Sequence, residues 1–106
     1  MSSEMPKVKI TVLKRTINED LIREYLENPE EHPGPCEWLS EGQEFTVEQV
    51  WLPPAGFCAW AWADIRRDIL TVAGGGKFPG MKHAGIIITG CSDWFRPVYF
   101  KVETIE

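Results

Sequence analysis

Lys7-Val8-Lys9-Ile10-Thr11-Val12-Leu13-Lys14 alternates polar and apolar side chains with period two. Val8, Ile10 and Val12 therefore fall on one face of a strand, and Lys7, Lys9 and Thr11 on the other. A strand with one apolar face needs a covering layer, and Phe57 to Val72 supplies one. Within that segment Cys58, Trp62, Ile65, Ile69 and Val72 step by four, three, four and three residues, the spacing of a single helical stripe. Arg66, Arg67 and Asp68 are assigned to the wet side of the same helix. A half-buried strand and an amphipathic helix in one short chain point to an α+β domain.

Outward from these two segments, Val98 to Glu103 alternates in the same way, with Val98, Phe100 and Val102 inward. Ala84 to Thr89 is apolar almost throughout and is expected at the centre of the sheet. Gly42 to Glu48 reads as a further strand with Phe45 and Val47 inward. Leu21, Ile22, Tyr25 and Leu26 mark a short helix, opened by a Thr16/Glu19 capping box or by Asn18 and closed at Asn28-Pro29. Between Pro29 and Glu41 three prolines and a glycine surround Cys36 and Trp38, as in an ordered loop rather than a flexible spacer. Gly74-Gly75-Gly76-Lys77 follows a helix instead of opening one, so it reads as a cap and turn and not as a phosphate loop. The expected order is β-α-β-α-β-β, with helices packed on a small mixed or antiparallel sheet. One domain spans residues 1–106, with Met1–Pro6 as a disordered leader.

The chain has 106 residues, 43% of them apolar and 25% charged, which fits one globular domain. Its 11 Lys and Arg against 16 Asp and Glu give a net charge of −5 without any basic run. Nucleic acid and anionic membrane are therefore not expected as partners. No apolar stretch approaches the ~20 residues that cross a bilayer, and the N-terminus lacks the apolar region of a secretory signal. Three cysteines cannot all pair within one chain, so a reducing cytoplasm and free thiols or metal ligands are expected.

Gly56-Phe57-Cys58-Ala59-Trp60-Ala61-Trp62-Ala63-Asp64-Ile65 and Cys91-Ser92-Asp93-Trp94-Phe95-Arg96-Pro97-Val98-Tyr99-Phe100-Lys101 are the most distinctive blocks. Together with Lys7–Leu13, and with Cys36 and Gly42–Phe45, they resemble a family of small uncharacterised bacterial and archaeal proteins of similar length, with GxCxWAWxDI-like and CxDxxRPVxFK-like blocks. The likeness covers nearly the whole chain and implies no particular activity. The chain departs from that pattern at Trp94, where a small residue is expected, and at Gly90, where a second cysteine would precede Cys91.

Candidate chemistry gathers at the ends of elements. Cys36, Cys58 and Cys91, with His32 or His83 as a fourth member, could close a zinc, copper(I) or iron–sulfur centre. No two of them form a C-x-x-C pair, and free cysteines also serve as small buried hydrophobes. Cys58, at the start of a helix, could instead be a nucleophile. Asp64, Asp93 and Arg96 could supply a proton-handling carboxylate and a cation that grips an anionic group, or else a structural ion pair. Of the five tryptophans, Trp62 belongs to the core stripe and Trp51 is a further core candidate. Trp38, Trp60 and Trp94 are the candidates for a ligand or an interface. The expected protein binds a small molecule or metal in a Cys- and Trp-lined pocket, with thiol chemistry as an option. The alternative is an interaction module that meets a protein partner or a second copy of itself.

Overall fold

Period-two alternation has the expected outcome in β1 (Lys7–Arg15), where Val8, Ile10 and Val12 are buried and Lys7, Lys9 and Thr11 occupy the opposite face. The computed structural model describes residues 6–105. After β1 come α1 (Glu19–Tyr25), a single 3-10 turn at Pro29–Glu31, β2 (Glu44–Val47), α2 (Ala59–Ala73), β3 (Ile86–Gly90) and β4 (Val98–Ile105). Met1–Met5 of the expected leader lie outside the described residues. The strands form one antiparallel sheet in the order β2-β1-β4-β3, with the helices packed on it. This is the α+β domain and the element order read from the sequence.

The stripe of α2 lays Trp62, Ile65, Ile69 and Val72 against the sheet. Directly opposed residues of an antiparallel pair share a face, so the register describes the layering of the core. Ile10 lies between Phe45 and Val102, Val12 opposite Phe100, and Ile87 opposite Val102. Burial of each such side chain contributes about 1.5–3 kcal/mol. Phe57, just before α2, closes one end of this core with its ring edge-on to Phe45 at 5.0 Å and tilted on Phe100 at 5.5 Å.

Four expectations are corrected by the packing. The Ile-rich β3 is an edge strand rather than a central one, and Ile88 is 46% exposed on the open face of the sheet. The sheet is covered on one face only, so its central strands β1 and β4 are the alternating ones. Asp68 is not on the wet side of α2. It is 6% exposed and its Oδ2 accepts the Thr89 hydroxyl at 2.6 Å, hooking α2 to the inner face of β3. Trp51 is exposed rather than a core residue. In α1 only Ile22 is buried, and Leu21 and Tyr25 are exposed.

A register shift between Val12 and Lys14 marks a bulge in β1. Val12 pairs with Phe100, but Lys14 pairs with Tyr99 and Arg15 with Val98, so Leu13 is the extra residue. In an unshifted register Lys14 would oppose Val98. With the bulge Arg15 takes the position across from an inward-facing valine, which brings its side chain to the inner side of the sheet end.

Gly90 ends β3 opposite Tyr99 of β4, close against the β4 backbone. A β-carbon there would stand 2.8 Å from the Val98 carbonyl oxygen, a backbone atom that cannot swing aside. Gly90→Ala is expected to lower stability by at least about 1 kcal/mol through this overlap, measured as a fall in the urea midpoint at unchanged m-value. An unshifted midpoint would show that the strand end yields freely. The same overlap explains why a second cysteine before Cys91 does not fit this backbone.

Candidate functional site

Three chain segments meet at the end of the sheet where β1 finishes and β4 begins. They enclose a cavity of about 170 Å³ lined by Cys36, Trp38 and Leu39 from the Pro-rich loop, Cys58, Trp60 and Ala61 from the start of α2, and Cys91, Asp93, Arg96 and Val98 from the β3–β4 connection. All three cysteines are free and partly buried.

The Cys36 segment is held by Arg15, the residue that the bulge turns inward. Its Nη1 donates to the Cys36 carbonyl at 2.6 Å, its Nε to Glu41 Oε1 at 3.0 Å, and its backbone N–H to Glu41 Oε2 at 3.3 Å. The Glu41 carboxyl is lowered from its ordinary pKa chiefly by its own backbone N–H. Desolvation opposes that lowering, and the Arg15 hydrogen bonds and charge add to it.

Cys58 is the N-cap of α2. Its carbonyl accepts the Trp62 N–H at 2.9 Å, while its side chain makes no capping bond. The first-turn N–H groups of α2, beside the cavity, thus lack the side-chain acceptor that a Ser or Asp cap would give them.

Cys91 is fixed by a two-way bond to Val98. The Cys91 N–H donates to the Val98 carbonyl at 3.1 Å, and the Val98 N–H donates to Cys91 Sγ at 3.4 Å. Next to it Asp93 shapes the turn, its Oδ1 accepting the N–H groups of Phe95 at 3.1 Å and Arg96 at 3.2 Å. Asn18 clamps this turn from outside. Its backbone N–H donates to the Phe95 carbonyl at 2.8 Å and its Nδ2 to the Trp94 carbonyl at 2.7 Å. The Asn18 side chain is thereby spent on the turn rather than on capping α1, which explains why α1 has no side-chain cap.

Asp64 does not line the cavity. Its Oδ2 accepts the Ser92 N–H at 2.7 Å, and Ser92 Oγ accepts the Trp60 indole Nε1–H at 3.0 Å. This relay ties α2 to the segment after Cys91 and restrains the Trp60 side chain. Asp64 is a positioning residue in this geometry, not a group facing the cavity. Trp94 also stands outside, 70% exposed, over a neighbouring groove that it shares with Cys91, Pro97 and Tyr99. The expected ion pair between Arg96 and Asp64 or Asp93 is not formed: among the described residues Arg96 has no carboxylate within ion-pair distance.

The metal reading fares differently. Among the described residues no group of three or more His, Cys, Asp or Glu side chains is disposed to hold a metal ion. A structural zinc needs its sulfurs about 2.3 Å from one point, whereas Cys36, Cys58 and Cys91 approach one hollow from three separate elements. They share a cavity without forming a ligand set, so the arrangement does not fit zinc or an iron–sulfur cluster. His32 and His83 are not on the cavity wall, and His83 is exposed.

The comparisons with known proteins are silent: no family model, curated protein or solved structure matches the chain. No described helix is long and apolar enough to cross a membrane. Chemically, the cavity offers soft nucleophilic sulfur, two indole faces, one guanidinium and one carboxylate. Trp38 and Trp60 are 75% and 61% exposed on its rim, and both also border an adjoining groove beside Phe57 and Ala59.

Proposed function

We propose that this chain binds a small organic molecule in the cavity between the Pro-rich loop, the start of α2 and the β3–β4 connection, with a cysteine available for thiol chemistry. The observation that carries the reading is the convergence of Cys36, Cys58 and Cys91, distant in sequence, on one hollow with Trp38, Trp60, Asp93 and Arg96. A cavity with an apolar wall and a few convergent polar groups is the usual form of a ligand site. Free thiols keep this chemistry in a reducing compartment, and the cytoplasm is the setting proposed here.

Reaction with a small thiol reagent such as methyl methanethiosulfonate tests the reading. At least two of the three cysteines are expected to react in the native protein no more than about a hundredfold slower than in urea, because a reachable cavity does not require global opening. If all three react only at the rate set by global unfolding, the hollow is sealed and the reading fails. That outcome would favour a second reading, a non-catalytic interaction module. Trp38, Trp51, Trp60 and Trp94 are each more than 60% exposed, and large exposed aromatics are the residues that anchor protein partners.

A further inference from the structure

We infer, building on the reading of the cavity as a small-molecule site, that its ligand is a compact organic anion: one carboxylate or phosphate group carried on a flat apolar body. The cations of the chain separate into two groups with one exception. Lys7, Lys9, Arg15 and Lys101 sit within ion-pair distance of glutamates. Lys14, Arg23, Arg66, Arg67, Lys77 and Lys82 have no carboxylate partner among the described residues, and every one of them is exposed. Among the described residues Arg96 alone combines partial burial with the lack of a carboxylate partner, and it lines the cavity.

An acidic chain has carboxylates to spare, and one of them, Asp93, is on the same wall. Its Oδ1 is occupied by two backbone N–H groups, which fixes the carboxylate to the turn. A half-buried arginine without a counter-charge among the described residues is completed most favourably by an anion. Its planar fork matches a carboxylate or phosphate bidentately. The start of α2 points the same way: its uncapped first turn brings the positive end of a 15-residue helix to the cavity through Cys58, Trp60 and Ala61. The rest of the ligand meets Trp38, Leu39 and Trp60, and the Trp60 indole N–H is anchored on Ser92. Two indole faces and a leucine accept a flat apolar body. A cationic ligand could pair only with Asp93, already tied to the turn through Oδ1, and would still meet Arg96 on the same wall, while a neutral one would leave Arg96 without a counter-charge.

The test follows the Trp indole and Arg96 Nε–H resonances of the full chain during titration with benzoate, phenyl phosphate, benzyl alcohol and benzylamine. Benzoate or phenyl phosphate is expected to shift Trp60 and Arg96 and to saturate at least about tenfold below benzyl alcohol and benzylamine, the discrimination that one charge-assisted fork supplies. Which of the two anions binds more tightly separates a carboxylate ligand from a phosphate one. Arg96→Gln is expected to erase the preference, and Arg96→Lys to keep part of it, while the β4 amide spectrum stays native. Tighter binding of benzyl alcohol or benzylamine overturns the anion inference and leaves the pocket reading standing. Equal binding of the anions by the Arg96→Gln protein also overturns it. Failure of all four probes to move these resonances overturns both.

Discussion

Phe100→Ala is expected to remove about 3–5 kcal/mol of stability, a large share of the roughly 5–15 kcal/mol that holds a domain together. Phe100 is fully buried in a central strand, opposed by Val12 on one side and Thr89 on the other. Its ring also supports Phe57 at 5.5 Å, and Phe57 directly precedes Cys58. Truncation therefore opens a hole in the core and undercuts the start of α2 together. Urea unfolding reads the first effect. The native reactivity of Cys58 with methyl methanethiosulfonate reads the second, and it should rise while the reactivity of Cys36 changes less. A loss below about 2 kcal/mol would mean that neighbouring side chains refill the space.

Asp64→Ala is expected to cost about 1.5–3 kcal/mol, the range for losing a hydrogen bond to a charged acceptor and leaving a partly buried donor unmet. The Ser92 N–H loses its 2.7 Å acceptor, and the segment after Cys91 loses its tether to α2. Trp60 then rests on a serine that is no longer held. The Trp60 indole resonance should move, and Cys91 should react faster with the thiol reagent. Asp64→Asn keeps an acceptor oxygen and should restore most of the stability and the indole signal. If Asp64→Asn were as damaging as Asp64→Ala, the negative charge itself, rather than the position it enforces, would be what matters.

The parts of the fold legible in the sequence are those where one physical requirement dominates. β1 and β4 alternate because the sheet is covered on one face, and α2 carries a continuous stripe because it is the cover. β3 misled for the opposite reason. Three consecutive isoleucines satisfy strand propensity equally well at an edge and at a centre, so composition alone does not place them. Asp68 looked wet because a carboxylate usually is, and only its Thr89 partner across the packing explains its burial. The bulge at Leu13 leaves no local mark, since Val12-Leu13-Lys14 is ordinary strand sequence.

The site was legible at the level of chain topology. Cys58, Cys91, Asp93 and Arg96 stand at ends of elements and Cys36 in the Pro-rich loop, and the structure gathers all five around one cavity. Distances were not legible. Sharing a hollow is a looser condition than meeting at a metal, and spacing cannot separate the two. Asp64 turns to the Ser92 N–H rather than to Arg96, which depends on where Ser92 presents that group. Arg15 went unnoticed as the clamp on Cys36 because its direction depends on the bulge.

β4 comes last among the described elements yet lies second from the edge of the sheet, between β1 and β3. During synthesis β3 therefore has no neighbour to join until β4 has left the ribosome, and the Asn18 clamp on Trp94 spans 76 positions of the chain. Loop closure over such lengths precedes any gain from the contacts it permits. A nascent chain can hold α2 and the β1–β2 pair early, but the hollow and its three sulfurs come into being only once β4 has joined the sheet.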